Sequence, residues 1–160
     1  MSGPLEISMS FIVETDRYFF EQREKERANG ALGKIGCWGG QLQIKKGTSV
    51  KETPLEAVHR EVVLEEVKGL EDFPQESFRQ LTPSEEPIEV ESDRDDEPVQ
   101  IQAHLFELKL PYGYGNHLEA SNSIWLNIDE LQQALNANML TPATEKAVLE
   151  YYALDKAGEN

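Results

Sequence analysis

This 160-residue chain predicts a mixed α/β fold from three observations. Val99 to Leu110, VQIQAHLFELKL, alternates apolar and polar positions with the two-residue period of a half-buried strand. Thr53-Pro54, with Glu56 close behind, opens a stretch of helical periodicity. Strand-like and helix-like stretches then interleave irregularly along the chain, which favours a sheet packed with helices over an all-α or all-β architecture.

Taken in order, Ile7 to Gln22 is rich in β-branched and aromatic residues and reads as two strands joined at Glu14-Thr15-Asp16-Arg17, a hairpin. The following KERANGALGKIGCWGGQ is crowded with glycine, as suits a loop whose backbone turns sharply or approaches a neighbour closely. QLQIKKGTSV gives a short strand and a turn at Lys46-Gly47. Thr53 is placed to cap a helix with Pro54 at its first position and Glu56 at capping-box spacing. That helix runs to about Lys68 and is stopped by Gly69, with Leu55, Ala57, Val58, Val62, Leu64 and Val67 on its apolar side.

Residues 71 to 98 carry four prolines and many acids, with short strands near Phe78 to Leu81 and Ile88 to Val90 and an acidic loop from 91 to 98. After the long strand comes the turn PYGYGNH. SNSIWLNIDELQQAL then reads as a strand entering a helix capped by Asn127 or Asp129, and a last helix begins after Thr141-Pro142. No repeat and no linker divides the sequence, so one domain spanning 1–160 is expected.

Composition narrows the function. Hydrophobic residues make up 39% and charged residues 28%, a composition that folds. With 30 acidic against 15 basic residues the formal charge is −15, which disfavours nucleic acid as a partner. A polyanionic substrate then requires divalent cations, which neutralise phosphate charge. Cys37 is the only cysteine, so neither an internal disulfide nor a cysteine-rich zinc cage can form, and a cytoplasmic location is expected. No apolar run approaches the ~20 residues that span a bilayer, and no membrane role is expected.

The helix carries Glu52, Glu56, Glu61, Glu65 and Glu66 in or just before it. On an α-helix each residue advances about 100°, so Glu61 and Glu65 project about 40° apart while Glu66 lies about 140° from Glu61. Like charges at that spacing cost roughly 0.2 to 0.5 kcal/mol, tolerable on a wet surface and useful around a cation. Spacing alone leaves both open. The glycine-rich stretch just before the helix adds backbone groups that can approach the same cation or phosphate.

CWGGQL followed by ETPLEAVHREVVLEE resembles the signature of Nudix hydrolases, in which a Gly-Gly loop leads to Glu, seven residues, Arg-Glu and a further pair of acids. FFEQRE before it and SIWLNIDELQQAL with LTPATEKAVLEYY after it resemble the family's flanking elements, so the similarity covers most of the chain. Glu52, Arg60, Glu61 and Glu65 match the pattern, and Gly40 its glycine. Two departures stand out. Eleven residues separate Gly40 from Glu52 where the family has five, and the first glutamate of the closing pair falls on Leu64, with the family's later glycine falling on Val67.

Either one metal ligand is lost at Leu64, or a one-residue bulge brings Glu66 round; helix geometry favours the first, because Glu61 and Glu65 already share a face. The resemblance implies an α/β/α sandwich with a mixed β-sheet between helices. It implies Mg²⁺-dependent hydrolysis, with Mn²⁺ able to substitute, of a nucleoside diphosphate linked to another moiety. Glu61, Glu65 and Gly40 would hold the metal, joined by Glu66 in the bulged alternative, and Arg60 would position the carboxylates. The alternative is a Nudix-fold domain that binds a nucleotide with weak or no hydrolysis. The partner is a nucleotide-derived small molecule, and a homodimer is an ordinary assembly for the family.

Arg23 and Arg27 are among the few cations available to a phosphate, and Trp38, Gly39 and Gly40 flank the same segment, so Arg23, Trp38, Gly39 and Gly40 are the substrate-binding candidates. Tyr112 and Tyr114 offer further stacking faces. Glu107, Glu89 and Glu91 are candidates for a carboxylate that completes the site from outside the helix. His59, His104 and His117 have no partner at metal-ligand spacing, Arg94 reads as solvated, and Cys37 as a buried filler.

Overall fold

In the computed structural model, which describes residues 4–23, 33–91 and 99–156, strand β1 (Leu5–Glu14) forms the spine of one mixed sheet. The turn at Thr15-Asp16 returns the chain as β2 (Arg17–Gln22), the expected hairpin. β3 (Ile35–Gly36) continues that edge, and β4 (Trp38–Gln41) pairs antiparallel with the first half of β1, placing Ser8 opposite Gly40 and Met9 opposite Gly39. Gly39 and Gly40 therefore lie in a strand and not in the loop the glycine content suggests. Ile44 and Lys51 bridge a short hairpin beyond β4.

Helix α1 (Pro54–His59) starts as the sequence requires: the Thr53 hydroxyl accepts from the Glu56 amide at 3.1 Å while Glu56 reaches back to the Thr53 amide at 2.9 Å. From Arg60 to Glu66 the helix continues in π form, and the Val67 amide donates to the Val62 carbonyl at 3.0 Å, five residues back. The expected α-helical run to Lys68 is thus corrected. The helix ends at Glu66, because Val67 is extended and Lys68 pairs with Glu119. β5 (Phe78–Gln80), β6 (Ile88–Glu91) and β7 (Gln100–Lys109) follow, with β7 parallel to β1 and flanked by β5 and β6. β8 (Ser123–Asn127) pairs with β2 and passes into α2 (Ile128–Asn136), capped by Asn127, and α3 (Pro142–Tyr151) ends the described fold. Most of the acidic loop 91 to 98, with Arg94, and Arg27 lie outside the described residues.

Side-chain alternation splits the core into two layers. Met9, Phe11, Val13, Phe20, Ala103 and Leu105 face α2 and α3, whereas Ile12, Phe19, Trp38, Phe106 and Leu108 face α1 and its π continuation through Val58, Val62, Val63 and Val67. The sheet lies between two helical layers, an α/β/α sandwich as expected.

The π form has a readable cause. Val58 and Val62 are four apart, but the next residue buried in line, Val67, is five from Val62, and one extra residue must be accommodated. Leu64 is that residue's side chain in space, 68% exposed while its valine neighbours are buried. Deleting Leu64 removes little buried surface and restores four-residue spacing. The variant is expected to keep its stability within about 1 kcal/mol, or about 2–4 °C in Tm, and a thermal melt checks it.

Candidate functional site

The two glycines of β4 and the π-helical segment meet face to face. A Cβ on Gly39 would run into the Ser8 carbonyl, so only glycine lets β4 pack on β1 there, and one on Gly40 would come 2.5 Å from Glu61 Oε1 and push that carboxylate aside. The Gly39 amide donates to Glu66 Oε1 at 2.9 Å.

In a π-helix residues five apart share a face. That register explains both pairings that α-helical geometry forbids: Glu66 comes beside Glu61, and Arg60 Nη1 donates to Glu65 Oε2 at 2.6 Å. Arg60 organises the rest. Its Nε and Nη2 grip Glu52 at 2.7 and 3.0 Å, Nη1 reaches Glu61 at 3.0 Å, and Nη2 also donates to the Gln41 carbonyl at 3.0 Å. Of the two readings of Leu64, the geometry has the bulge of the second: Leu64 turns to solvent and Glu66 comes beside Glu61.

Charge is unevenly compensated across this surface. Hydrogen bonding from Arg60 holds the Glu52 carboxyl below its ordinary range. Burial pushes Glu61 up in spite of Arg60, with Glu65 adding to the rise. Glu66 is pushed up to about 8, first by burial and then by the charges of Glu21 and Glu61, with only the Gly39 amide opposing. Glu21, on β2, was missed by sequence reasoning: no local motif marks a strand residue that only pairing brings to the helix.

The chemistry of these donors, all carboxylates, is that of a hard divalent cation site. Glu61, Glu65 and Glu66 are carboxylates of one helical segment, with Glu21 near Glu66, and the Arg60 guanidinium already stands as a cation between Glu61 and Glu65. As these side chains stand, no three acidic, histidine or cysteine residues among the described residues converge as a metal-ligand set, and Arg60 bonds two of the four carboxylates.

Other expectations fare differently. Trp38 is 2% exposed, stacks on Phe19 and donates from Nε1 to the Phe19 carbonyl at 3.2 Å, so it is a core residue with no face for a base, and leaves the substrate-binding set. Glu107 points to the α3 side of the sheet, where Arg79 and the Tyr152 hydroxyl donate to it, and Glu89 and Glu91 lie on β6, beyond β1 and β7 from β4. None completes the site. Arg23 lies two positions past Glu21 in the same extended run, and its Nε is buried with no hydrogen-bond partner among the described residues. His59 contacts the Phe73 carbonyl and His104 bonds Glu6, which leaves both outside the acidic cluster. Burial pushes the Cys37 thiol up to about 12, an inert group. Tyr112 is 91% exposed, while Tyr114 packs on Phe73.

No protein-family model matches the chain, and no curated protein matches it in sequence. Solved structures do. An Ap4A hydrolase from C. elegans superposes with a TM-score of 0.55 at 13% identity, covering 94% of this chain and 97% of that one. A Nudix hydrolase from M. smegmatis, RenU, gives 0.51 at 14% identity over 96% and 89% of the two chains. A bifunctional NMN adenylyltransferase/ADP ribose pyrophosphatase from Francisella tularensis, complexed with AMP and a Mn ion, gives 0.57 at 14% identity, covering 94% of this chain and 42% of that larger one. With the α/β/α layering and the glutamate-bearing helix after β4, these matches establish that the chain has the Nudix fold.

Proposed function

We propose that the chain, as one domain, is a pyrophosphohydrolase that uses Mg²⁺, or Mn²⁺ in its place, to cleave a nucleoside diphosphate linked to another group. The observation that carries this reading is the π register, which sets Glu61 and Glu66 against the Gly39-Gly40 backbone, with Glu65 on Arg60 beside them and Glu21 near Glu66.

Glu61, Glu65 and Glu66 would hold the cation, helped by the Gly40 backbone. When bound, a divalent cation draws charge from the diphosphate and lowers the pKa of a bound water. The chain's own residues do the positioning. Arg60 fixes the carboxylates of Glu61 and Glu65 through Glu52, which anchors the guanidinium from its far side. Gly39 and Gly40 keep the strand thin enough for close approach. Arg23 supplies a cation at the end of β2 to a substrate phosphate.

A panel of ADP-ribose, nucleoside triphosphates, dinucleoside polyphosphates and nucleotide sugars, assayed for release with Mg²⁺ or Mn²⁺, tests this. Metal-dependent turnover of at least one, lost in Glu65→Gln with folding intact, is the expected result. The ion pairs that Arg60 makes with Glu61 and Glu65 favour a second reading, a nucleotide-binding regulatory domain. Ligand-induced stabilisation with no turnover anywhere on the panel would support that reading instead.

A further inference from the structure

The residues from Gln41 to Lys51 separate the site's glycine from its first glutamate and form an ordered hairpin. The Lys45 amide donates to the Val50 carbonyl at 2.7 Å, the Thr48 amide to the Lys45 carbonyl at 3.0 Å, and the Glu52 amide to the Gln43 carbonyl at 2.8 Å. Gly47, at φ +77°, allows the tight tip. In a chain of net charge −15, this stretch holds Lys45, Lys46 and Lys51 and no acid.

Resting on the hydrolase reading above, we propose that the hairpin grips the substrate and that Lys46 binds a phosphate lying beyond the two that face the acidic helix. The preferred substrates are then nucleotide derivatives with a triphosphate or longer chain.

Both ends of the hairpin are rooted in the site. At one end Gly40 makes room for Glu61, and at the other Glu52 grips Arg60. The tip stands about three residues above the Gln43 and Glu52 pair, a reach of about 10 Å at strand rise. Two of its lysines brace it against the body, Lys45 through Glu56 at 2.9 Å and Lys51 through Glu6. Lys46, exposed at the tip, has no ion-pair partner among the described residues. A compact ammonium on a braced hairpin, beside a surface that repels anions, suits a phosphate oxygen. A diphosphate held at the helix has no further charge to offer it.

Steady-state kinetics of Lys46→Ala on ATP, diadenosine tetraphosphate and ADP-ribose tests the assignment. KM is expected to rise about threefold to fivefold for the first two and to stay level for ADP-ribose, with kcat and Tm unmoved. The rise shrinks at high ionic strength. Lys109→Ala, an equal change of net charge on β7, is the control and leaves all three KM values unchanged. An equal rise on all three substrates, a rise matched by Lys109→Ala, or no rise at all overturns the proposal. Binding is read in parallel as the ATP-induced increase in Tm with Mg²⁺. An increase without turnover defeats the hydrolase reading alone, and Lys46→Ala must then reduce that increase or the hairpin assignment falls. No increase and no turnover defeats both.

Discussion

On the proposed hydrolase reading, Glu66→Gln is expected to lower turnover by at least about 10²-fold and, in the cation-free protein, to raise Tm. Both effects come from one carboxylate. Glu66 is largely withdrawn from water next to Glu21 and Glu61, and the Gly39 amide is its one donor among the described residues. Without a cation, ionising it is unfavourable, which is why its pKa stands near 8. A glutamine keeps the contact with Gly39 and removes the charge, a gain on the order of 2 kcal/mol at alkaline pH, or about 4–8 °C. The folded pKa lies above the unfolded one, so this group's contribution to stability is full below the usual carboxylate range and is lost as pH rises toward 8. Melts at pH 5 and pH 8 without metal should therefore show a decline with pH in the native chain and a smaller one in Glu66→Gln. Added Mg²⁺ raises the Tm of the native chain at pH 8 and leaves that of the variant nearly unchanged. A variant no more stable than the native chain at pH 8 would mean that Glu66 is compensated by something other than a cation.

The helix start was legible because capping chemistry is local: Thr53, Pro54 and Glu56 satisfy one another within four residues. The long strand was legible for the same kind of reason, since alternation is a property of neighbours. The π turn was harder. Its signal, the five-residue step from Val62 to Val67 with an apolar Leu64 left over, is present in the sequence but competes with the four-residue pairing of Glu61 and Glu65, which a regular helix also satisfies. Glu21 left no signal, because its proximity to Glu66 depends on which strands pair. Trp38 misled in the opposite direction. An aromatic residue beside two glycines is a candidate for stacking on a base, yet those glycines serve the close packing of β4 on β1 and leave the indole on the core side.

Arg60→Ala is expected to be the most destabilising single change in this region, about 3 kcal/mol, or about 6–12 °C in Tm. The side chain is 19% exposed and bonds three carboxylates and the Gln41 carbonyl, so its loss leaves Glu52 and Glu61 without their cation. Glu52 shows the linkage most clearly. Its folded pKa lies below the unfolded value because of Arg60, so it contributes stability at neutral pH that is lost as pH falls through the acid range. In Arg60→Ala that acid dependence should shrink along with the stability, leaving the share that the Gln43 amide supplies to Glu52. Arg60→Lys restores one charge but not the two-pronged grip on Glu52, and should recover part of the Tm and little of the turnover. Added Mg²⁺ or Mn²⁺ then discriminates between a guanidinium that only positions the glutamates and one that occupies the cation's place. If it occupies that place, the divalent ion restores more stability to Arg60→Ala than it adds to the native chain, because two carboxylates have been released to bind it. If Arg60 only positions them, the variant binds the ion more weakly, and the metal-induced increase in Tm is the smaller of the two.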